Sequence, residues 1–105
     1  MAVKYNSKSG KSEITATGHI SNEQSMKLME AIRKSFEDGN TTIVLNLAGV
    51  EFMDSSALGI IVFNKKIAVG KGGDLFVSGT NLYISELFEN TKLNKVITIL
   101  EKEGD

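Results

Sequence analysis

The chain is predicted to be an α/β protein, with a mixed central sheet of about five strands, helices packed on it, and the order β-β-α-β-α-β-α-β. Three observations carry this prediction. Short apolar runs at 43–47, 75–78 and 96–100 alternate with longer segments of helical period. Clusters of Gly, Asn and Asp at 38–40 and 70–74 separate those segments. Proline is absent, so the turns must rely on Gly, Asn, Asp and Ser.

Taken in order, residues 2–6 and 12–17 carry β-prone side chains around the turn-forming cluster Ser7-Lys8-Ser9-Gly10-Lys11, the pattern of a hairpin. Gly18-His19-Ile20 leads to Ser21-Asn22-Glu23-Gln24, where Ser21 and Gln24 fit a capping box. The helix that follows sets Ser25, Met29, Ile32 and Phe36 on one stripe, spaced by four, three and four. Asp38-Gly39-Asn40 ends it, with Gly39 as a left-handed stop. Residues 43–47 run almost without polar interruption, as expected of a strand buried on both faces. A second helix is expected over about 55–69. Its first half (Ala57, Leu58, Ile60, Ile61, Val62, Phe63) is apolar nearly all round, so part of this surface is either deeply buried or kept for a partner. Gly70-Lys71-Gly72-Gly73-Asp74 makes the next turn, and Leu75-Phe76-Val77-Ser78 the next strand. Thr80 or Asn81 caps a third helix carrying Ile84, Leu87 and Phe88. Residues 96–100 form the last strand, and 101–105 a polar tail.

With 105 residues the chain makes a single domain, 1–105. Hydrophobic residues at 41% and charged residues at 24% are the proportions of a globular protein rather than a disordered one. Twelve basic against thirteen acidic residues leave a net charge of −1, and no Lys/Arg block marks a nucleic-acid footprint. The absence of cysteine excludes disulfides, thiolate metal sites and thiol catalysis, and a single histidine, His19, argues against a histidine metal centre. No cofactor is called for. Met-Ala-Val-Lys-Tyr-Asn is too polar to open a signal peptide, and no apolar run approaches the length of a membrane span. A cytoplasmic location is expected.

The chemistry concentrates at Asp54-Ser55-Ser56. Ser and Asp are the preferred helix N-caps, so these residues have a purely structural reading. Two details point further. The cap is doubled, and the positions three residues on hold Leu58 and Gly59 rather than Glu or Gln. The helix behind it is also too apolar for a fully solvated face. A serine hydroxyl at a helix N-terminus, beside unpartnered N–H groups and the positive dipole end, suits a phosphate. Other candidates are weaker. Gly70-Lys71-Gly72-Gly73 lacks the Gly-x-x-x-x-Gly-Lys-Ser/Thr of a phosphate loop and fits a helix stop. Ser55, His19 and Asp54 include the residue types of a hydrolase triad, but no Gly-x-Ser-x-Gly elbow is present. His19 is expected at a strand end, partly exposed. Met26, Met29 and Met53 fit core filler, with Met53 bordering the serines.

Val44-Leu45-Asn46-Leu47 followed by Phe52-Met53-Asp54-Ser55-Ser56-Ala57-Leu58-Gly59 resembles the signature of bacterial anti-sigma factor antagonists, which are single STAS domains. Gly18-His19-Ile20-Ser21 resembles the family's entry to the first helix, and residues 87–96 its leucine-phenylalanine segment before the last strand. The resemblance covers essentially all of the chain. It implies a binding module rather than an enzyme, working by partner switching in transcription regulation. In the family an ATP-dependent anti-sigma serine kinase phosphorylates the serine directly after the aspartate, and a metal-dependent PP2C-type phosphatase removes the phosphate. Unmodified antagonist holds the kinase and frees a sigma factor; the phosphorylated form lets go. By position the phosphorylated residue is Ser55, with Ser56 next to it. Met53, Asp54, Ser56, Ala57, Leu58 and Gly59 are then expected to form the docking surface, with Ser21 and Asn22 beside them. Three residues depart from the pattern. Ala57 replaces the usual Gly and adds a methyl group beside the phosphorylation site, Ser21 replaces the usual Asp, and Asn46 replaces a frequent strand Asp. The tail is too short for the family's final helix. The alternatives are a STAS subunit of another assembly, in secretion regulation or lipid transport, and a small serine hydrolase.

Overall fold

The computed structural model describes residues 2–8 and 10–100. The hairpin forms as expected: β1 (Ala2–Lys8) and β2 (Lys11–Ile20) pair antiparallel, from Ala2 opposite Thr17 to Lys8 opposite Lys11, with Gly10 at φ 81° in the turn. Ser9 of the predicted turn and the polar tail 101–105 lie outside the described residues. The chain continues through α1 (Glu23–Glu37), β3 (Thr42–Met53), α2 (Ser55–Gly70), β4 (Asp74–Ser78) and α3 (Leu82–Asn90). A 3₁₀ turn, Leu93–Lys95, precedes β5 (Thr98–Leu100). The five strands lie side by side in chain order, and every pair after the hairpin is parallel. The expected order and mixed sheet are therefore present.

Each crossover steps to the next strand in the same direction, so the sheet has one covered face. This corrects the expectation that residues 43–47 are buried on both faces. Ile43, Leu45 and Leu47 are wholly buried, whereas Val44 and Asn46 on the other face are only half-buried. Ile14 and Ala16 of β2 and Leu75 and Val77 of β4 continue the covered face. The last strand is also shorter than predicted. The Ile97 N–H turns back to the Leu93 carbonyl at 2.7 Å, which keeps 96 and 97 out of the ladder and leaves Val96 exposed.

The stripe of α1 is rotated from its predicted position. Its buried residues are Ser25, Leu28, Ile32 and Ser35, while Met29 and Phe36 lie half-buried at the margins. The small serines allow close approach. Ser35 Oγ meets Ser12 Oγ of β2 at 2.6 Å, and each hydroxyl satisfies the other inside the protein. Gly39, at φ 90°, ends α1 as expected. The turn after α2 is a helix stop as well. Gly72 sits at φ 90°, and a Cβ on Gly73 would lie 1.9 Å from the Thr41 carbonyl oxygen. This turn is at the opposite end of α2 from the serines. The cap of α3 is Asn81, whose side chain accepts the Ile84 N–H at 2.8 Å. Among the described residues no helix is long and apolar enough to cross a membrane.

Two irregularities position the site. β3 slips twice against β2, between Thr15 and Thr17 and between Gly18 and His19. At the first slip Gly49 passes so close that a Cβ would meet Thr17 Cγ2 at 2.6 Å. Beyond the second slip, Met53 pairs with Ile20, so both strands end together. The starts of α1 and α2 are thereby delivered side by side.

Candidate functional site

Asp54 is the N-cap of α2, with extended backbone. Its Oδ1 accepts the N–H groups of Ser56 (3.0 Å) and Ala57 (3.2 Å) and the Ser56 hydroxyl (2.6 Å). Its Oδ2 accepts the N–H of Asn22, 3.2 Å away at the start of α1. The Asp54 N–H in turn donates to the Ile20 carbonyl at 3.2 Å. One carboxylate thus clasps both helix starts. The Ser56 hydroxyl above all, with the N–H groups of Ala57, Asn22 and Ser56, holds the Asp54 carboxyl below its ordinary value and outweighs desolvation.

These bonds revise the expectation of unpartnered N–H groups waiting for a phosphate. The donors of Ser56 and Ala57 are taken by Asp54, so the anion site at this helix start is filled from within.

The two serines differ sharply. Ser56 Oγ donates to Asp54 and shares a hydrogen bond with Ser25 Oγ at 2.8 Å, and Ser25 is only 2% exposed. Ser56 is therefore part of the seam between α1 and α2. Ser55, the first residue of α2, is exposed, and its hydroxyl makes no hydrogen bond among the described residues. Both serines are exposed, but only the Ser56 hydroxyl is engaged in hydrogen bonds among the described residues.

The capping box expected at Ser21 and Gln24 is not formed. The Gln24 N–H bonds to the Ser21 carbonyl at 2.9 Å, and the N-cap is Asn22, at φ 45° and ψ −111° with no side-chain cap bond. The pull of Asp54 Oδ2 on the Asn22 N–H accompanies this turn into a region costly for a residue with a Cβ. Asn22 is exposed and Ser21 half-buried, both beside Asp54 as expected.

Three residues expected on the docking surface are not on it. Met53, Ala57 and Leu58 are core residues, and Ala57 at 0% exposure turns its methyl group inward, away from any partner. Their apolar character is explained by their place in the hydrophobic core. The exposed part of the region consists of Ser55, Ser56, Gly59 and Asn22. Two apolar side chains on α1 and α2 are exposed as well, and Phe63 belongs to the apolar surface expected to be either buried or kept for a partner. Met26, expected in the core, is 62% exposed in the first turns of α1, and Phe63 is 55% exposed on α2. The signal for Phe63 was in the sequence: it follows Ser55 and Gly59 at intervals of four, on one helix face.

The residue types of a hydrolase triad are directed to different partners. His19, exposed at its strand end, has Nε2 at 3.4 Å from Glu51 and its ring 5.8 Å from that of Phe52, which stacks on Tyr83. Asp54 is committed to the cap. Asn46 accepts the Ala48 N–H at 2.9 Å and donates to Glu13 at 3.2 Å, stabilising the strand slip on the open face.

The STAS domain family model matches residues 4–105. An anti-sigma F factor antagonist of Paenibacillus polymyxa is 36% identical over 86 residues, which is 81% of this chain and 70% of that protein. Among solved structures, an anti-sigma factor antagonist of Mycobacterium paratuberculosis superposes with a TM-score of 0.80 at 22% identity, over 93% of this chain and 83% of the other. The Bacillus cell fate determinant SpoIIAA in its phosphorylated form gives a TM-score of 0.78 at 17% identity, over 98% and 93% of the two chains.

Proposed function

The chain belongs to the STAS-domain family of anti-sigma factor antagonists, and we propose that it sequesters an anti-sigma factor that is itself a serine kinase. On this reading the kinase inactivates it by phosphorylating Ser55, and a PP2C-type phosphatase restores it. The observation that carries the proposal is the free, exposed hydroxyl of Ser55 beside a carboxylate already committed to both helix starts. Phosphorylation of a structural relative, SpoIIAA, agrees with it.

The transfer itself is simple. Ser55 Oγ attacks the γ-phosphorus of ATP, the bond to ADP breaks, and the hydroxyl proton passes to a base on the kinase. The product carries about −1.5 to −2 additional charges at neutral pH. A helix N-terminus tolerates negative charge, so α2 remains folded. The effect falls on the partner, which would have to bury a dianion next to an ionised carboxylate, with the Ser56 and Ala57 N–H groups already engaged.

The test uses the full chain with Mg-ATP and the ATP-dependent serine kinase encoded nearest its gene. Intact-mass and peptide spectra are expected to show one phosphate on Ser55, and Ser55→Asp is expected to lose the kinase complex with an unchanged far-UV circular dichroism spectrum. Phosphate on Ser56 instead, or a Ser55→Asp protein that still binds, refutes the proposal.

A further inference from the structure

Gly59 is exposed within α2, and an ideal Cβ built on it meets no atom within 4 Å among the described residues beyond its chain neighbours and the adjoining helix backbone. We infer that Gly59 is a specificity-determining residue for phosphate transfer to Ser55, keeping the ground over that hydroxyl bare so that a closely fitting kinase site can bring the γ-phosphate down to it. The inference rests on the reading of Ser55 as the phosphate acceptor.

Nothing inside the chain asks for glycine at this position. Most other glycines of the fold answer to a positive φ or to a close approach, as Gly39 and Gly73 do; Gly70, which has neither, is the last residue of α2 rather than inside it. Gly59 has neither, and within a helix glycine is less favourable than alanine. A local cost with no internal compensation points to a requirement outside the chain.

Helix geometry supplies that requirement. Gly59 lies one turn beyond Ser55, about 6 Å along the axis and on the same face. Every Cα–Cβ bond of a helix tilts toward the N-terminus, so a side chain at 59 would lean back over Ser55. Phosphoryl transfer needs the attacking oxygen about 3 Å from phosphorus and in line with the leaving group. A methyl group or larger on that approach holds the γ-phosphate off. Phe63, one turn further and exposed, extends the same face as an apolar anchor beyond the cleared ground.

The experiment measures phosphorylation of wild type, Gly59→Ala and Gly59→Leu by the same kinase and Mg-ATP, together with the thermal midpoint of each free protein. Both variants are expected to melt at or above the wild-type temperature. Their kcat/KM for phosphorylation is expected to fall about tenfold for alanine and a hundredfold or more for leucine, with the loss in kcat where alignment is blocked. A merely structural role would move stability and rate in the same direction. Equal rates for all three proteins overturn the inference alone. A wild-type protein that takes no phosphate on Ser55 overturns the underlying reading and the inference with it.

Discussion

Substituting the adjacent serines one at a time separates structure from signalling. Ser56→Ala removes the hydroxyl bridging Asp54 and Ser25, and it leaves Ser25 Oγ without that partner at a 2% exposed position. A buried hydroxyl stripped of its partner costs about 1–3 kcal/mol, and better helix propensity of alanine returns up to about 0.5 kcal/mol. The exposed bond to Asp54 is screened by solvent and adds little. A net loss of about 1–2 kcal/mol is expected. With an unfolding entropy of about 2.1 cal/mol/K per residue over 105 residues, the melting midpoint should fall by about 5–9 °C. Ser55→Ala removes an exposed hydroxyl without hydrogen bonds and should stay within about 0.5 kcal/mol of wild type. Phosphorylation should order the two variants the other way. Ser56→Ala still accepts phosphate on Ser55, and Ser55→Ala accepts none. Thermal melts followed by circular dichroism and intact-mass phosphorylation assays read both axes. A Ser56→Ala protein as stable as wild type, or a Ser55→Ala protein less stable than Ser56→Ala, would show that the two hydroxyls have been assigned the wrong roles.

The remaining expectations concern the frame of the site. Asp54 is held low chiefly by the Ser56 hydroxyl, and Asp74 is lowered because hydrogen bonds from Lys65 and the Leu75 N–H outweigh desolvation. Groups with depressed folded pKa values stabilise above their unfolded value, near 4, and lose that contribution as the pH falls through the folded one. Denaturation midpoints should therefore drop on acidification below about pH 4, and Asp54→Asn should flatten the drop; an identical profile for the variant counts against the clasp. Asn22→Gly relieves a non-glycine residue at φ 45° while keeping the N–H that reaches Asp54. Strain relief of about 1–3 kcal/mol against about 0.5–1 kcal/mol of added unfolded-state freedom predicts a modest gain in urea midpoint, and a lowered midpoint would show that the Asn22 side chain has a structural task. Gly73→Ala places a Cβ 1.9 Å from the Thr41 carbonyl oxygen and should cost about 2 kcal/mol or more; a neutral effect would mean the turn has room to move.

The fold was legible because its signals are local and repeated. Alternating apolar runs, Gly39 as a stop and Asn81 as a cap each depend on a few neighbouring residues, and each is present in the structure. The errors arose where distant parts of the chain meet. Residues 43–47 look buried on both faces because Val44 is apolar, yet one covered face is enough to satisfy the pattern. The sequence pattern puts Ser25, Met29, Ile32 and Phe36 on the α1 stripe; Ser25 and Ile32 are buried there, whereas Met29 and Phe36 lie at its margins. The actual contact line runs through Ser25 and Ser35, where small residues permit helix–sheet and helix–helix approach. Ser21 and Gln24 have the right types and spacing for a capping box, but a contact with Asp54, 32 residues beyond Asn22, sets the backbone there. Ala57 shows the same limit from the other side. Next to a serine in sequence, it faces the core in space, because side chains at successive helix positions point about 100° apart.

The occupation of the helix start by Asp54 decides how a charge on Ser55 would act. A phosphate at a helix N-terminus can order structure when free N–H groups receive it, and here those of Ser56 and Ala57 are already bound. It can also melt structure when it opposes the dipole, and at this end the dipole favours it. Neither route leads to a large rearrangement within the domain. What remains is the surface itself. Three exposed positions, Ser55, Gly59 and Phe63, lie on one face of α2, with Asn22 beside the first of them. A charge added there stands next to a carboxylate that the Ser56 hydroxyl keeps ionised. On the proposed reading, the same carboxylate that fastens the two helices would supply the background against which a second negative charge repels a partner. If Ser55 is the phosphate acceptor as proposed, structural cap and electrostatic switch would be two consequences of one residue, and the stability of the clasp would let the surface gain charge without the fold changing shape.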